Sequence, residues 1–146
     1  MKKVKVMLFM TFLSLQLLAQ GKADACLGTW LTGSKKGHVQ IYKQGEKYFG
    51  KIVWLKEPND EVTGKPRLDK NNPDTQKKLR PILGMINLNN FLYDGDNVWE
   101  GGKIYDPENG KEYSCKMKLL SANQLDVRGF VGISLIGRTD SWTRVK

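Results

Sequence analysis

"KEYSCKMKLLSANQLDVRGFVG", Lys111 to Gly132, is the stretch whose reading decides the fold. Tyr113, Cys115, Met117 and Leu119 alternate with Glu112, Ser114, Lys116 and Lys118. Alternation with a period of two is the pattern of a strand with one face on a core and one in water. After the polar turn "LSANQ", Leu125, Val127 and Val131 repeat the inward set, with Asp126 and Arg128 outward. Two such runs joined by a short turn make an antiparallel hairpin.

The same rhythm extends in both directions. "DPENG" (Asp106 to Gly110) is a Pro/Gly turn leading back to "NVWEGGKIY", and "YDGDN" supplies another turn at Asp94-Gly95. Strands are expected near 28–32, 38–43, 47–55, 84–92, 97–105, 111–120, 124–132 and 139–145. Eight half-polar strands with short connections suit a single all-β domain, an antiparallel up-and-down barrel that leaves no open edge. A barrel of that size either fills with side chains or holds one small ligand.

One connection breaks the rhythm. Between Trp54 and Gly84 runs a long polar segment rich in Pro and Asn, and loops of that length are usually functional or disordered. Within it "NPDTQKKL" reads as a short helix, with Asn72 as N-cap, Pro73 first and Pro81 barring continuation. From Lys56 to Arg80 seven Lys/Arg face five Asp/Glu, so the loop is nearly neutral, unlike a nucleic-acid-binding arm. "FGKIVWL" before it is apolar on both faces except at Lys51, which predicts a strand covered on both sides.

Lys2, Lys3 and Lys5 followed by an uncharged run from Val6 to Leu18 read as a secretory signal peptide. Cleavage after Ala19 is the first choice and after Ala23 the second, giving residues 1–19 as signal and 20–146 as the barrel domain. Cys26 as a lipidated residue is set aside, because Lys22 and Asp24 separate it from the apolar run. A periplasmic or secreted location follows, with no transmembrane segment after cleavage. Without its three leader lysines the chain falls from +9 to +6, which allows anionic partners without demanding them. In an exported protein Cys26 and Cys115 either pair or remain two buried thiols, and the sequence leaves both open.

The single histidine, His38, has no nucleophile pattern near it, and no phosphate-binding, dinucleotide or nucleophile-elbow motif is present. "DKNNPD" offers oxygen donors at Asp69, Asn71, Asn72 and Asp74, but turns and a helix cap account for them without a metal. Asp94/Asp96 and Asp106/Glu108 fall in hairpin turns, where burial able to couple them is not expected. A non-enzymatic protein without cofactor or metal is the outcome. The candidates for an interior ligand are then Trp54, Trp99, Tyr105, Tyr113, Met117, Phe130 and Arg144. Gly101-Gly102 in mid-strand means either curvature or room inside the barrel.

"LGTW" near the start and "WTRV" at the end resemble the calycin superfamily of lipocalins and fatty-acid-binding proteins. There a Gly-x-Trp opens the first strand and a basic residue on the last strand covers the Trp. The resemblance gives Gly28, Trp30 and Arg144 that closing role, a cation–π contact between guanidinium and indole. The segments "GKIVWL", "DKNNPD", "RPILGM", "WEGGKIYDPENGKEY", "LDVRGFVG" and "GRTDSWTRV" resemble a family of small exported bacterial proteins of unknown function. This likeness covers nearly the whole domain and singles out Asp69, Asn72, Pro73, Arg80, Pro81 and Gly84 in the long loop. "GSKKG" leaves no room for the helical lid of fatty-acid-binding proteins, and Lys146 stands where their ligand-binding Tyr would be. The expectation is a lipocalin-like barrel binding a small apolar or amphipathic molecule. Its rival is a packed barrel serving as an envelope protein-interaction module through the 56–83 loop. Export and scattered lysines weigh against nucleic acid, and the oligomeric state is open.

Overall fold

A closed barrel carries the alternating runs in the computed structural model, which describes residues 21–146. The expected signal peptide, 1–19, lies outside the described residues. The strands are β1 Gly28–Leu31, β2 Gly37–Gln44, β3 Lys47–Leu55, β4 Ile86–Gly95, β5 Val98–Asp106, β6 Lys111–Ser121, β7 Gln124–Phe130 and β8 Gly137–Arg144. Each pairs antiparallel with the next, and β8 returns to β1 to close the sheet. The β2–β3, β4–β5 and β6–β7 turns therefore gather at one end, with the residues before β1. The other four connections, the long 56–85 loop among them, gather at the opposite end.

Inward-facing residues of all eight strands meet in one core. Toward the end that carries the residues before β1 the barrel is filled by Leu88, Phe91, Trp99, Met117 and Leu125, each at most 1% exposed. Two glycines mark the closest packing. A Cβ on Gly50 would lie 2.7 Å from Leu88 Cδ1, and one on Gly102 would lie 2.5 Å from the Phe91 ring. Gly101 and Gly102 thus do different work. Gly101 (φ 73°) makes the bulge at which the β5–β6 register shifts. Gly102 leaves room, and Phe91 takes that room.

Three expectations change on the structure, and it has one of the two alternatives left open for the cysteines. The helix at 72–79 is a three-residue 3-10 turn, Lys77–Leu79. Asn72 Oδ1 accepts from the Asp74 N–H at 2.9 Å, and Asp74 Oδ1 from the Gln76 N–H at 3.0 Å. These local bonds compete with helical ones, and the segment has no apolar stripe to pack. Val131 is not inward, because β7 ends at Phe130 and Val131 is 73% exposed. The last part of β3 is not covered on both sides, since Val53 and Trp54 are 39% and 40% exposed. Cys26 and Cys115 are free, buried thiols and not a bridge: Cys26 lies in a 3-10 turn before β1, Cys115 on β6.

Inserting a methyl at Gly102 should cost about 1–3 kcal/mol of stability by overpacking. Urea unfolding of Gly102→Ala, alone and with Phe91→Leu, checks this. Phe91→Leu should recover part of the loss at Gly102 and none of the backbone cost of Gly101→Ala.

Candidate functional site

Each end of the barrel is closed by a charged side chain bonded to the chain itself. At the N-terminal end Arg144 lies over Trp30, its guanidinium carbon 4.3 Å from the ring centroid. Its Nη1–H donates to Leu27 O at 2.6 Å, Nη2–H to Ala25 O at 2.8 Å and Nε–H to Ala122 O at 2.7 Å. Gly28 adopts φ 126°, and a Cβ there would stand 2.7 Å from Arg144 Nη1, so only glycine fits beneath the guanidinium. Trp30 and Trp99 donate their indole N–H groups to Cys26 O and Ala23 O, and the Tyr48 hydroxyl donates to Asp24 at 2.6 Å. The segment before β1 is thereby tied across the barrel floor.

At the other end the long loop is held by Asp69, which is fully buried. Its carboxylate accepts from Asn72 Nδ2 at 2.8 Å, Arg80 Nε at 2.9 Å and the Tyr105 hydroxyl at 2.6 Å. Arg80 also lies 5.5 Å from the Tyr105 ring centroid and donates to Met85 Sδ. The backbone of the loop zips beside this hub, with Asp69 N–H donating to Arg80 O and a bridge between Leu68 and Pro81. Asn71 Nδ2 reaches the carbonyls of Pro107 and Glu108 in the β5–β6 turn. On the far side of the same end, Asp140 accepts from Trp142 Nε1 and from the Gly33 N–H.

A cleft of about 380 Å³ lies on the outer face, where the β5 bulge meets the β7–β8 connection. It is lined by Glu100, Gly101, Lys116, Phe130, Ile133 and Ser134, with Cys115 contributing. The connection folds back over the sheet because Arg128 and Lys116 hold it. Arg128 Nε–H donates to Ser134 O at 2.7 Å, and Lys116 Nζ to Ser134 Oγ at 3.4 Å.

The residues singled out from sequence fall in four places. Trp99 and Met117 are packed in the core. Tyr105 serves the Asp69 hub, together with Asn72 and Arg80. Tyr113 is half-buried near the loop-bearing end, where its hydroxyl accepts from Asn109 Nδ2. Two expected interior residues are outside. Phe130 pairs with Ser114, on the face opposite to the inward Cys115, and Trp54 stands exposed against His38 at a ring separation of 4.4 Å. Arg144 does share the inward face of Trp142, but its three N–H groups engage carbonyls, which makes it a closing residue. Pro73 and Gly84 lie exposed beside the hub without joining it, and Pro81 contributes only its backbone bridge. The sequence reading did not find Asp24, Tyr48 or Asp140. Nor did it find the cleft, whose one signal was an aliphatic run, "VGISLIG", where a polar turn belongs.

Residues 28–144, β1 to the last residue of β8, match the family model described as uncharacterized protein conserved in bacteria (DUF2147). The chain belongs to this family. Its fold is also that of a solved lipocalin-family structure, protein HP1028 from the human pathogen Helicobacter pylori. The two are 20% identical, with a TM-score of 0.71 over 82% of each chain. No curated protein matches the chain. Among the described residues, no helix of this family member is long and apolar enough to cross a membrane.

Burial decides the protonation of the groups that hold the ends. Burial, and then the hydrogen bond to Asp69, push the Tyr105 phenol up to about 12 from 10.0. Tyr48 is raised by the same two causes, with Asp24 as its acceptor. Burial pushes both thiols, Cys26 and Cys115, up from 9.0 to about 12. All four groups keep their protons longer in the fold than in the unfolded chain, so the stability they confer is complete below the unfolded values. It is lost as pH rises through the folded ones. Stability to urea should hold to pH 9 and fall steadily towards pH 12, with phenolate absorbance rising as the protein unfolds. A thiol reagent at neutral pH should modify neither cysteine until denaturant is added.

Asp69→Asn keeps the size of the side chain but leaves Arg80 without its counter-charge. It should cost about 1–3 kcal/mol and open the 56–83 loop to limited proteolysis, with Tyr105→Phe losing about 1 kcal/mol. Circular dichroism of the barrel should be unchanged in both variants.

Proposed function

We propose that the protein is an exported, non-enzymatic binding protein for a small amphipathic molecule, held in the outer cleft beneath the β7–β8 connection. The observation that carries the reading is the open outer cleft that the folded-back β7–β8 connection makes over Phe130. Leu88, Phe91, Trp99, Met117 and Leu125 fill the barrel toward the end closed by Arg144 and Trp30. The cleft outside is open to solvent and has a volume of about 380 Å³. Phe130 and Ile133 offer an apolar floor, while Lys116, Glu100 and Ser134 offer polar groups at its rim. An apolar body with a charged or hydroxylated head matches that lining.

Native mass spectrometry of the purified protein, with titration of a fluorescent fatty acid, tests the reading. Saturable binding is expected, about tenfold weaker in Phe130→Ala, since truncating a central aromatic removes a large share of contact energy. Leu125→Ala, deep in the core, should lower stability by about 2–5 kcal/mol and leave the binding curve in place. Loss of binding in Leu125→Ala with none in Phe130→Ala would return the site to the barrel interior. No uptake by the wild-type protein sinks the reading.

A second reading has its own observation. Val62 and Leu79, 94% and 77% exposed, stand on a 56–83 loop that the Asp69 hub holds in place. A pre-ordered loop with exposed aliphatic residues beside Lys77 and Lys78 suits an envelope protein partner. If a partner recovered by cross-linking is lost with Leu79→Asp and kept with Phe130→Ala, this reading replaces the first.

A further inference from the structure

The β7–β8 connection presents aliphatic side chains to water on a scaffold that is already folded. Val131, Ile133, Leu135 and Ile136 are 73%, 58%, 85% and 73% exposed. Turns at hairpin tips ordinarily use Gly, Asn, Asp and Pro, and contiguous exposed apolar residues mark a contact surface. This tip is ordered by its own bonds. Ile136 N–H donates to Ile133 O at 3.1 Å, and Arg128 donates to the carbonyls of Ser134 at 2.7 Å and Leu135 at 3.4 Å. Those bonds satisfy the backbone at the base of the tip and leave its side chains directed outward.

The charges around the tip have one sign in excess. Lys116 pairs across the strands with Arg128, Arg138 pairs with Gly129, and Lys103 with Ser114, so four cations border the tip on β5 to β8. None of the four forms an ion pair among the described residues. Glu100 in the cleft, Glu112 on β6, Asp126 on β7 and Asp140 on β8 are the nearby carboxylates in the sheet. The four connections at this end add nine Lys/Arg against six Asp/Glu, with Lys36 paired to Glu108. Aliphatic side chains at a tip with a net excess of cations at its end of the barrel match a layer that is apolar below and anionic at its surface.

We propose that the β7–β8 tip docks the protein on the surface of an anionic phospholipid bilayer. Leu135, Ile136 and Val131 enter below the headgroups, and Arg138, Lys103 and Lys116 lie against lipid phosphates. Leu135 and Ile136 do not line the cleft, so docking is measured separately from ligand uptake. A tip of three or four aliphatic residues gives reversible, salt-sensitive attachment.

Co-sedimentation of the purified protein with vesicles tests this. One set is phosphatidylcholine with about a third phosphatidylglycerol, the other phosphatidylcholine alone. Binding is expected on the anionic vesicles, weakened at high salt and at least about tenfold lower on neutral ones. Leu135→Asp with Ile136→Asp should lower it about tenfold or more, with circular dichroism and urea midpoint unchanged because both residues are exposed. Lys103→Glu with Arg138→Glu should lower it severalfold with the aliphatic tip intact. As a check independent of those variants, Leu135→Trp should shift its fluorescence to the blue on anionic vesicles only. Failure of the wild-type protein to bind anionic vesicles overturns the proposal, as does equal binding by the double aspartate variant. A dimer in sedimentation velocity that this variant abolishes, with no vesicle binding, assigns the tip to self-association and also overturns it.

Discussion

The barrel depends on a seam that backbone pairing alone closes poorly. β1 has only four residues and meets β8 through Trp30–Arg144 and Leu31–Thr143, where β7 and β8 share seven pairs. Arg144 makes up the deficit. One guanidinium covers the Trp30 ring and donates to three carbonyls, two of them in the segment before β1. Charge-assisted bonds of this kind are stronger than neutral ones, and a desolvated cation over an indole adds to them. The contact joins positions up to 119 residues apart, so closure is a highly non-local event in the fold. It also explains a motif. Gly28 is glycine because the guanidinium occupies the place a Cβ would take.

The opposite end solves a different problem with the opposite charge. A long polar loop cannot bury enough apolar surface to order itself, and conformational entropy works against it. Asp69 supplies order by gathering donors from two points of the loop and one strand, so that every partner of the buried carboxylate is also a tether. Between the two ends lie aromatic and aliphatic side chains packed closely enough that a Cβ at Gly50 or Gly102 would force Leu88 or Phe91 to shift. Such interiors have the density of organic crystals. Apolar surface also lies on the outside of the barrel, at Leu79, Leu135 and Ile136.

What the sequence made legible follows from which interactions are local. Alternation located all eight strands within a few residues, because the side-chain period of a strand is a property of the backbone. The ends "LGTW" and "WTRV" were read as a pair through their resemblance to the calycin superfamily, and Arg144 does lie over Trp30. Facing was less legible. Phe130 sits outside although it is apolar, and its position opposite Ser114 is fixed by the register of β6 on β7, which no single run reveals. The Asp69 hub was half visible: Asp69, Asn72 and Arg80 stood out in the loop, but Tyr105 was assigned to a ligand. Its partner lies 36 positions away and is brought there by the fold. The helix at 72–79 failed for a local reason, since the capping residues satisfied the backbone as turns.

The outer face of β6 and β7 couples the two surfaces proposed for recognition. Lys116 and Arg128 form a cross-strand pair of like charges, an arrangement that is unfavourable unless each cation has an acceptor. The folded-back connection provides those acceptors: Ser134 Oγ for Lys116, and the carbonyls of Ser134 and Leu135 for Arg128. Relief of that repulsion is a reason for the connection to lie down on the sheet. Lying down creates the cleft on one side of Ser134 and leaves Leu135 and Ile136 standing clear on the other. The cleft and the exposed tip are thus two consequences of a single local electrostatic solution. Any group that draws Lys116 or Arg128 away from Ser134, a ligand headgroup or a lipid phosphate, acts on both.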